Sequence, residues 1–231
     1  MPTKRNTQAY ALKSYYPWLY MTRHGYDKVL MVDDTCVIHP ESPNIFEKVT
    51  APLAISPTRL AHAQLSYQHI TEAAYRGELH HVPFEPEVYG NSGVVLYTKE
   101  AAHAFSPEQI TAAKECLHAR FPHQTLFYSL HRLPGVEVQP LRKMWNRSPG
   151  RGLSTEERQS LTDASRYINK DHNRIMHFTG YYTHRGELVK QLAQTYRGPW
   201  RSRCRRLRPL RGPRRRATLS PGACSGVWLS R

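Results

Sequence analysis

Apolar positions along this chain fall into short runs separated by Pro-, Gly- and Ser-rich breaks, and the spacing within each run predicts an element. Residues 7–24, TQAYALKSYYPWLYMTRH, carry apolar and aromatic side chains at helical intervals. They predict a helix ending near Gly25, with Pro17 either kinking it or marking its start. VLMVDDTCVI, residues 29–38, is short, β-branched and nearly unbroken, as an interior strand is, and ends where Pro40, Ser42 and Pro43 impose a loop. A short helix is expected within SPNIFEKV, residues 42–49. A longer one is expected over 56–76, with Ser56 as N-cap and Pro57 at its first position. Residues 77–90 read as a His- and Pro-rich loop, and YGNSGVVLYT runs from it into a strand. SPEQITAAKECLHARF predicts a helix capped by Ser106, with Pro107 first, stopping before Pro122. GVEVQPL (135–141) and IMHFTG (175–180) predict short strands. Ser154 with Glu157 three residues on predicts a capping box, and residues 183–197 a last helix. Strands alternating with helices predict an α/β fold, a mixed sheet with flanking helices.

Composition changes this picture at one end only. The net charge of +15 suggests a polyanion partner, but residues 197–231 hold 11 arginines with no lysine and no acidic residue. Without them the body has 22 basic against 18 acidic residues, a net +4. The chain therefore divides into a domain over 1–196 and an arginine-rich tail over 197–231, whose Pro, Gly and Ser breaks predict disorder. Its abrupt composition fits either a basic arm binding nucleic acid or another polyanion non-specifically, or a shifted reading frame. Cys36, Cys116, Cys204 and Cys224 form no CxxC pair, so neither a zinc knuckle nor a redox motif is indicated, and a reducing, cytoplasmic setting is expected. Neither a signal peptide nor a transmembrane run is visible.

Three stretches carry candidate chemistry. Asp33 and Asp34 interrupt an apolar run, and a buried carboxylate needs a partner such as a cation, an arginine or a set of donors. Mg²⁺ or Mn²⁺ bound with a diphosphate suits such oxygens, the alternative being two solvated turn acids. Asn91, Ser92 and Gly93 place small polar groups at a strand entrance, suited to sugar hydroxyls or to an ordinary turn. His177, before Thr179 and Gly180, is either a further metal ligand or a hydrogen-bonded structural histidine.

In that order, YDKVLMVDDTCVI, YGNSGVVLYT and KMWN…IMHFTG resemble nucleotide-sugar-dependent glycosyltransferases of the GT-A (Rossmann-like) fold, in the glycogenin-like and bacterial galactosyl/glucosyltransferase group. The resemblance covers roughly residues 15–195. It implies a cation (Mn²⁺ or Mg²⁺) held by Asp34, with Asp33 assisting, and by His177. It implies a donor diphosphate, of UDP above all, met by Gly180 and by Arg185 or His184, which stand where the family has a lysine. It implies a sugar site at Asn91, Ser92 and Gly93, and it matches Trp145 and Asn146 to the family's W-N. The acceptor hydroxyl is unspecified, and the resemblance implies retention of anomeric configuration. The family's acids stand one residue apart whereas Asp33 and Asp34 are adjacent, and residues 124–133 carry no acid. Only 25 residues precede Tyr26, so part of the amino-terminal nucleotide-binding unit is expected to be lacking. A non-catalytic relative with a structural or interaction role is the alternative.

Overall fold

The computed structural model describes residues 4–39, 41–58, 89–118, 122–148, 153–163, 174–178, 184–192, 194 and 226–230. They belong to two compact units. One holds Met1–Val32, Asn44–Lys143 and Ser225–Arg231, and the other holds Asp33–Pro43 and Met144–Cys224.

The first unit is a mixed sheet flanked by helices. Its strands are β1 (Lys28–Val32), β3 (Leu53–Pro57), β4 (Gly90–Thr98), β5 (Val138–Pro140) and β7 (Gly226–Ser230), in the order β5-β3-β4-β1-β7. β3 and β5 are parallel; β1 pairs antiparallel with β4 and with β7, and β3 antiparallel with β4. Alternation along the strands sends Val29, Met31, Leu53, Ile55, Val95 and Tyr97 to one face. On that face they meet helix α1 (Lys4–His24) through Trp18 and Met21, and helix α4 (Pro122–His131) through Leu126, Phe127 and Leu130. Tyr97 and Phe105 stand edge to face with ring centres 4.9 Å apart, and Phe105 stacks on Phe127 at 5.6 Å. Each such aromatic contributes about 1.5–3 kcal/mol through burial. Leu30, Val32, Ala54, Val94 and Leu96, on the opposite face, are buried as well.

Helix α1 stops as expected at Gly25, whose φ of +67° only glycine adopts without strain. Asn44 caps the short helix α2 (Ile45–Lys48), accepting from Phe46 N–H at 3.1 Å. Ser106 caps helix α3 (Pro107–Ala112), but the expected single helix breaks at Ala113 and continues as a 3-10 turn over Lys114–His118. The buried spacing of Ile110, Ala113, Cys116 and Leu117 survives that change, so the core is served by either geometry.

Ser56 and Pro57 do not start a helix; they end β3, paired with Asn91 and Gly90. The reason is tertiary. β3 runs between β4 and β5 and buries every residue from Leu53 to Ser56, so no alternation marks it. The rest of the expected helix over 56–76, and the loop to residue 88, lie outside the described residues. Gly90 is required where β3 and β4 meet, since a Cβ there would stand 2.2 Å from Ile55 Cδ1. Of the tail, Gly226–Ser230 form β7 and the remainder lies outside the described residues.

VLMVDDTCVI is likewise not one strand. β1 ends at Val32, and a turn closed by Cys36 N–H donating to Asp33 C=O (2.9 Å) leads into β2 (Cys36–Ile38), which belongs to the second unit. There β2 pairs antiparallel with β6 (Ile175–His177). Val37, Met176 and Phe178 form a small core with Leu161, Leu188 and Leu192, the last two from helix α6 (residues 185–192). Helix α5 (Thr155–Gln159) starts with the expected capping box, Glu157 N–H donating to Ser154 Oγ and Ser154 N–H to Glu157 Oε2. No described helix is long and apolar enough to cross a membrane.

Helix α4 is unforeseen because it is buried nearly all round, from His123 to His131, and so shows no polar stripe. His131 lies against Phe127 and Tyr128, and neither ring nitrogen has a hydrogen-bond partner. Burial, aided by the positive charge of Arg132, pushes its pKa down to about 3 from 6.5. Below pH 6.5 the unfolded chain binds a proton that the folded chain refuses, so stability is whole above that pH and falls as pH drops toward 3. The expected loss is about 1.4 kcal/mol per pH unit. Urea unfolding between pH 7 and 4.5 should show wild type losing stability more steeply than His131→Leu by this amount; equal slopes would contradict it.

Candidate functional site

In the second unit, β6 is hydrogen-bonded on both sides. On one side it pairs with β2 in the register Cys36↔His177, extended by Phe178 N–H to Thr35 C=O at 3.1 Å. On the other, residues 144–147 run beside it: Arg174 N–H donates to Met144 C=O (2.9 Å), Arg147 N–H to Ile175 C=O (3.0 Å), and His177 N–H to Arg147 C=O (2.8 Å). The backbone of His177 is thereby fixed from both edges. Alternation sends Val37, Met176 and Phe178 into the core and turns Cys36 and His177 to the opposite face.

On that face three sequence-distant groups meet. His177, 4% exposed, sets Nδ1 at 2.9 Å from Asn146 Oδ1 and Nε2 at 3.2 Å from Asp33 Oδ2. Asp33 reaches it from the turn between β1 and β2, with its side chain 28% exposed. Asp34, on the same turn, is exposed, and Trp145 is buried beside Asn146 in the chain. The carboxylate facing His177 is thus Asp33, the one expected only to assist. Among the described residues no group of three His, Cys, Asp or Glu side chains gathers as a cation site. His184 and Arg185 are exposed where α6 begins; Gly180 lies outside the described residues.

Asn91, Ser92 and Gly93 belong to the first unit. The pairing of β4 with β3 shifts between Ile55 and Ser56, so residues 92–94 bulge from the ladder. Asn91 Oδ1 accepts from Gly93 N–H at 3.0 Å. The bulge turns Ser92 inward: its hydroxyl lies 2.7 Å from His123 Nδ1, and its carbonyl accepts from Lys13 Nζ at 2.9 Å. His123 Nε2 in turn lies 3.2 Å from Ser14 Oγ. Since hydroxyls both donate and accept, either tautomer of His123 satisfies this chain, which ties α1, β4 and α4 together. Lys13, Ser14 and His123 went unnoticed in the sequence because only the fold brings them to Ser92. Cys116 is no candidate nucleophile, as burial raises its thiol pKa to about 11.

No family model matches the chain, and no curated protein does. Among solved structures, it is similar to the apo structure of the WbbM bifunctional glycosyltransferase, with 13% identity and a TM-score of 0.46 over 82% of this chain and 36% of that one. It is also similar to the apo form of mouse xyloside xylosyltransferase 1, with 18% identity and a TM-score of 0.39 over 71% of this chain and 62% of that one. The chain thus spans less than two thirds of either.

Removing the His123 ring leaves two hydroxyls buried without their partner, at a cost of about 2 kcal/mol or more. His123→Ala is therefore expected to lower the urea midpoint. A double-mutant cycle with Ser92→Ala should return a coupling above about 0.5 kcal/mol. Strict additivity would mean that the bond does not operate in solution.

Proposed function

We propose that this chain is a sugar-transferring domain of the GT-A type, using a nucleotide diphosphate sugar, with UDP as the nucleotide, and a divalent cation. The reading is carried by one observation, the approach of Asp33 to His177. These residues lie in the first and last of the three motifs that resemble the glycogenin-like and bacterial galactosyl/glucosyltransferase group, and their side chains stand 3.2 Å apart.

The donor set fits a cation. A carboxylate oxygen and an imidazole nitrogen are ordinary ligands of Mn²⁺. Asp33 and His177 would hold it, with Asp34 next to Asp33 on the same turn. When bound, it would neutralise charge developing on the leaving diphosphate. Arg185 and His184 supply hydrogen-bond donors for phosphate oxygens, and Arg185 can do so in a bidentate manner. The resemblance assigns sugar hydroxyls to Asn91 and Gly93 of the first unit, where Gly93 N–H is already donated to Asn91 Oδ1. Ser92 contributes by shaping the bulge, since its hydroxyl is already engaged with His123. That inward turn favours a second reading, a non-catalytic relative that keeps the architecture without the donor site.

Calorimetry of the whole chain with UDP, with and without Mn²⁺, separates the two. The catalytic reading expects cation-dependent UDP binding that weakens at least about tenfold in Asp33→Asn, the scale at which loss of a charged contact shows, and less in Asp34→Asn. Absence of UDP binding at millimolar Mn²⁺ favours the non-catalytic relative. Binding indifferent to both the cation and Asp33 removes the pair from the donor site.

A further inference from the structure

The amide of Asn146 touches the ring of His177 on the side away from Asp33, and this contact has chemical content. Asn146 Oδ1 can only accept a hydrogen bond, so the Nδ1 atom 2.9 Å away must carry the hydrogen. A neutral imidazole has one such hydrogen. Its Nε2 is then a bare lone pair directed toward Asp33 Oδ2, 3.2 Å away. Two acceptors facing each other at that distance repel unless the Nε2 position takes up a positive charge, either a second proton that makes the ring an imidazolium donating to Asp33 or a bound cation. The opposite amide orientation would have the reverse effect. Asn146 Nδ2–H would donate to Nδ1, Nε2 would carry the hydrogen, and that hydrogen would bond to Asp33, closing a chain with no lone pair left for a ligand.

Asn146 is well placed to make this choice. It precedes Arg147, whose N–H and C=O bond to Ile175 and His177 of β6. Both residues of the contact therefore sit on backbone held by the same ladder, and the side-chain contact adds little to folding that the ladder does not already supply. We propose that Asn146 is a positioning residue that holds His177 in its Nδ1-protonated form, so that Nε2 and the Asp33 carboxylate together present one cation-binding edge. This rests on the cation-dependent reading given above, and it assigns a role to a residue that touches neither cation nor substrate.

Two variants separate the role from mere packing. Asn146→Asp keeps an acceptor and loses every donor; Asn146→Leu keeps the volume and loses both. Nitrogen NMR of the full-length, metal-free protein labelled at histidine, with the His177 signal assigned by its loss in His177→Ala, reads the proton directly. The wild type and N146D are expected to carry it on Nδ1. Free Mn²⁺ measured by electron paramagnetic resonance then gives affinity. N146L should weaken Mn²⁺ about tenfold or more, the usual effect of losing the group that orients a histidine ligand, while N146D retains wild-type affinity. An unprotonated Nδ1 in the wild type overturns the proposal, as does unchanged Mn²⁺ affinity in N146L or equal weakening in both variants. A wild-type protein that binds no Mn²⁺ overturns the cation-dependent reading itself, and the metal-free spectrum distinguishes that failure from a failure of Asn146.

Discussion

A carboxylate cannot follow Val32 into the sheet. The four residues before Asp33 are buried, and carrying an unpaired charge onward would cost several kcal/mol, more than the about 1.5–3 kcal/mol that burying one more valine would return. The strand therefore ends, the chain turns through Asp33 and Asp34, and the next strand belongs to a different compact unit. Asp33 takes a partner there in His177, brought opposite by the pairing of β2 with β6. One desolvation constraint thus ends β1, opens the second unit, and assembles the cluster on which the functional proposal stands.

The same cost governs two histidines of helix α4 with opposite outcomes. His123 is buried between the hydroxyls of Ser14 and Ser92, and its bonds fix how α1, the β4 bulge and α4 fit together. His131, two turns on, is buried among Phe127 and Tyr128 with neither nitrogen bonded. The first lends the core specificity; the second burdens it with a group that must stay neutral. The helix is held in spite of His131 because Leu126, Phe127 and Leu130 bury their side chains in the same core.

Local chemistry made several features legible in advance. Gly25 ends α1, Ser106 caps its helix, and Ser154 with Glu157 forms a capping box, each decided by atoms within a few residues. Elements buried on all sides were not legible. β3 lies between two neighbours and α4 is buried nearly all round, so neither displays the alternation or the stripe by which an element is recognised.

For the candidate site the division has the same physical origin. The residue types of Asp33, Asn146 and His177, and their order in motifs resembling a sugar-transferring family, were present in the sequence by itself. So was the need of a buried carboxylate for a partner. Which of the two adjacent acids meets His177, that Asn146 takes the other ring nitrogen, and that Ser92 turns inward to His123 were decided by tertiary structure alone. Each of those contacts joins residues from distant parts of the chain. Their geometry is set by strand register and by a bulge, which long-range backbone pairing establishes and no local pattern encodes.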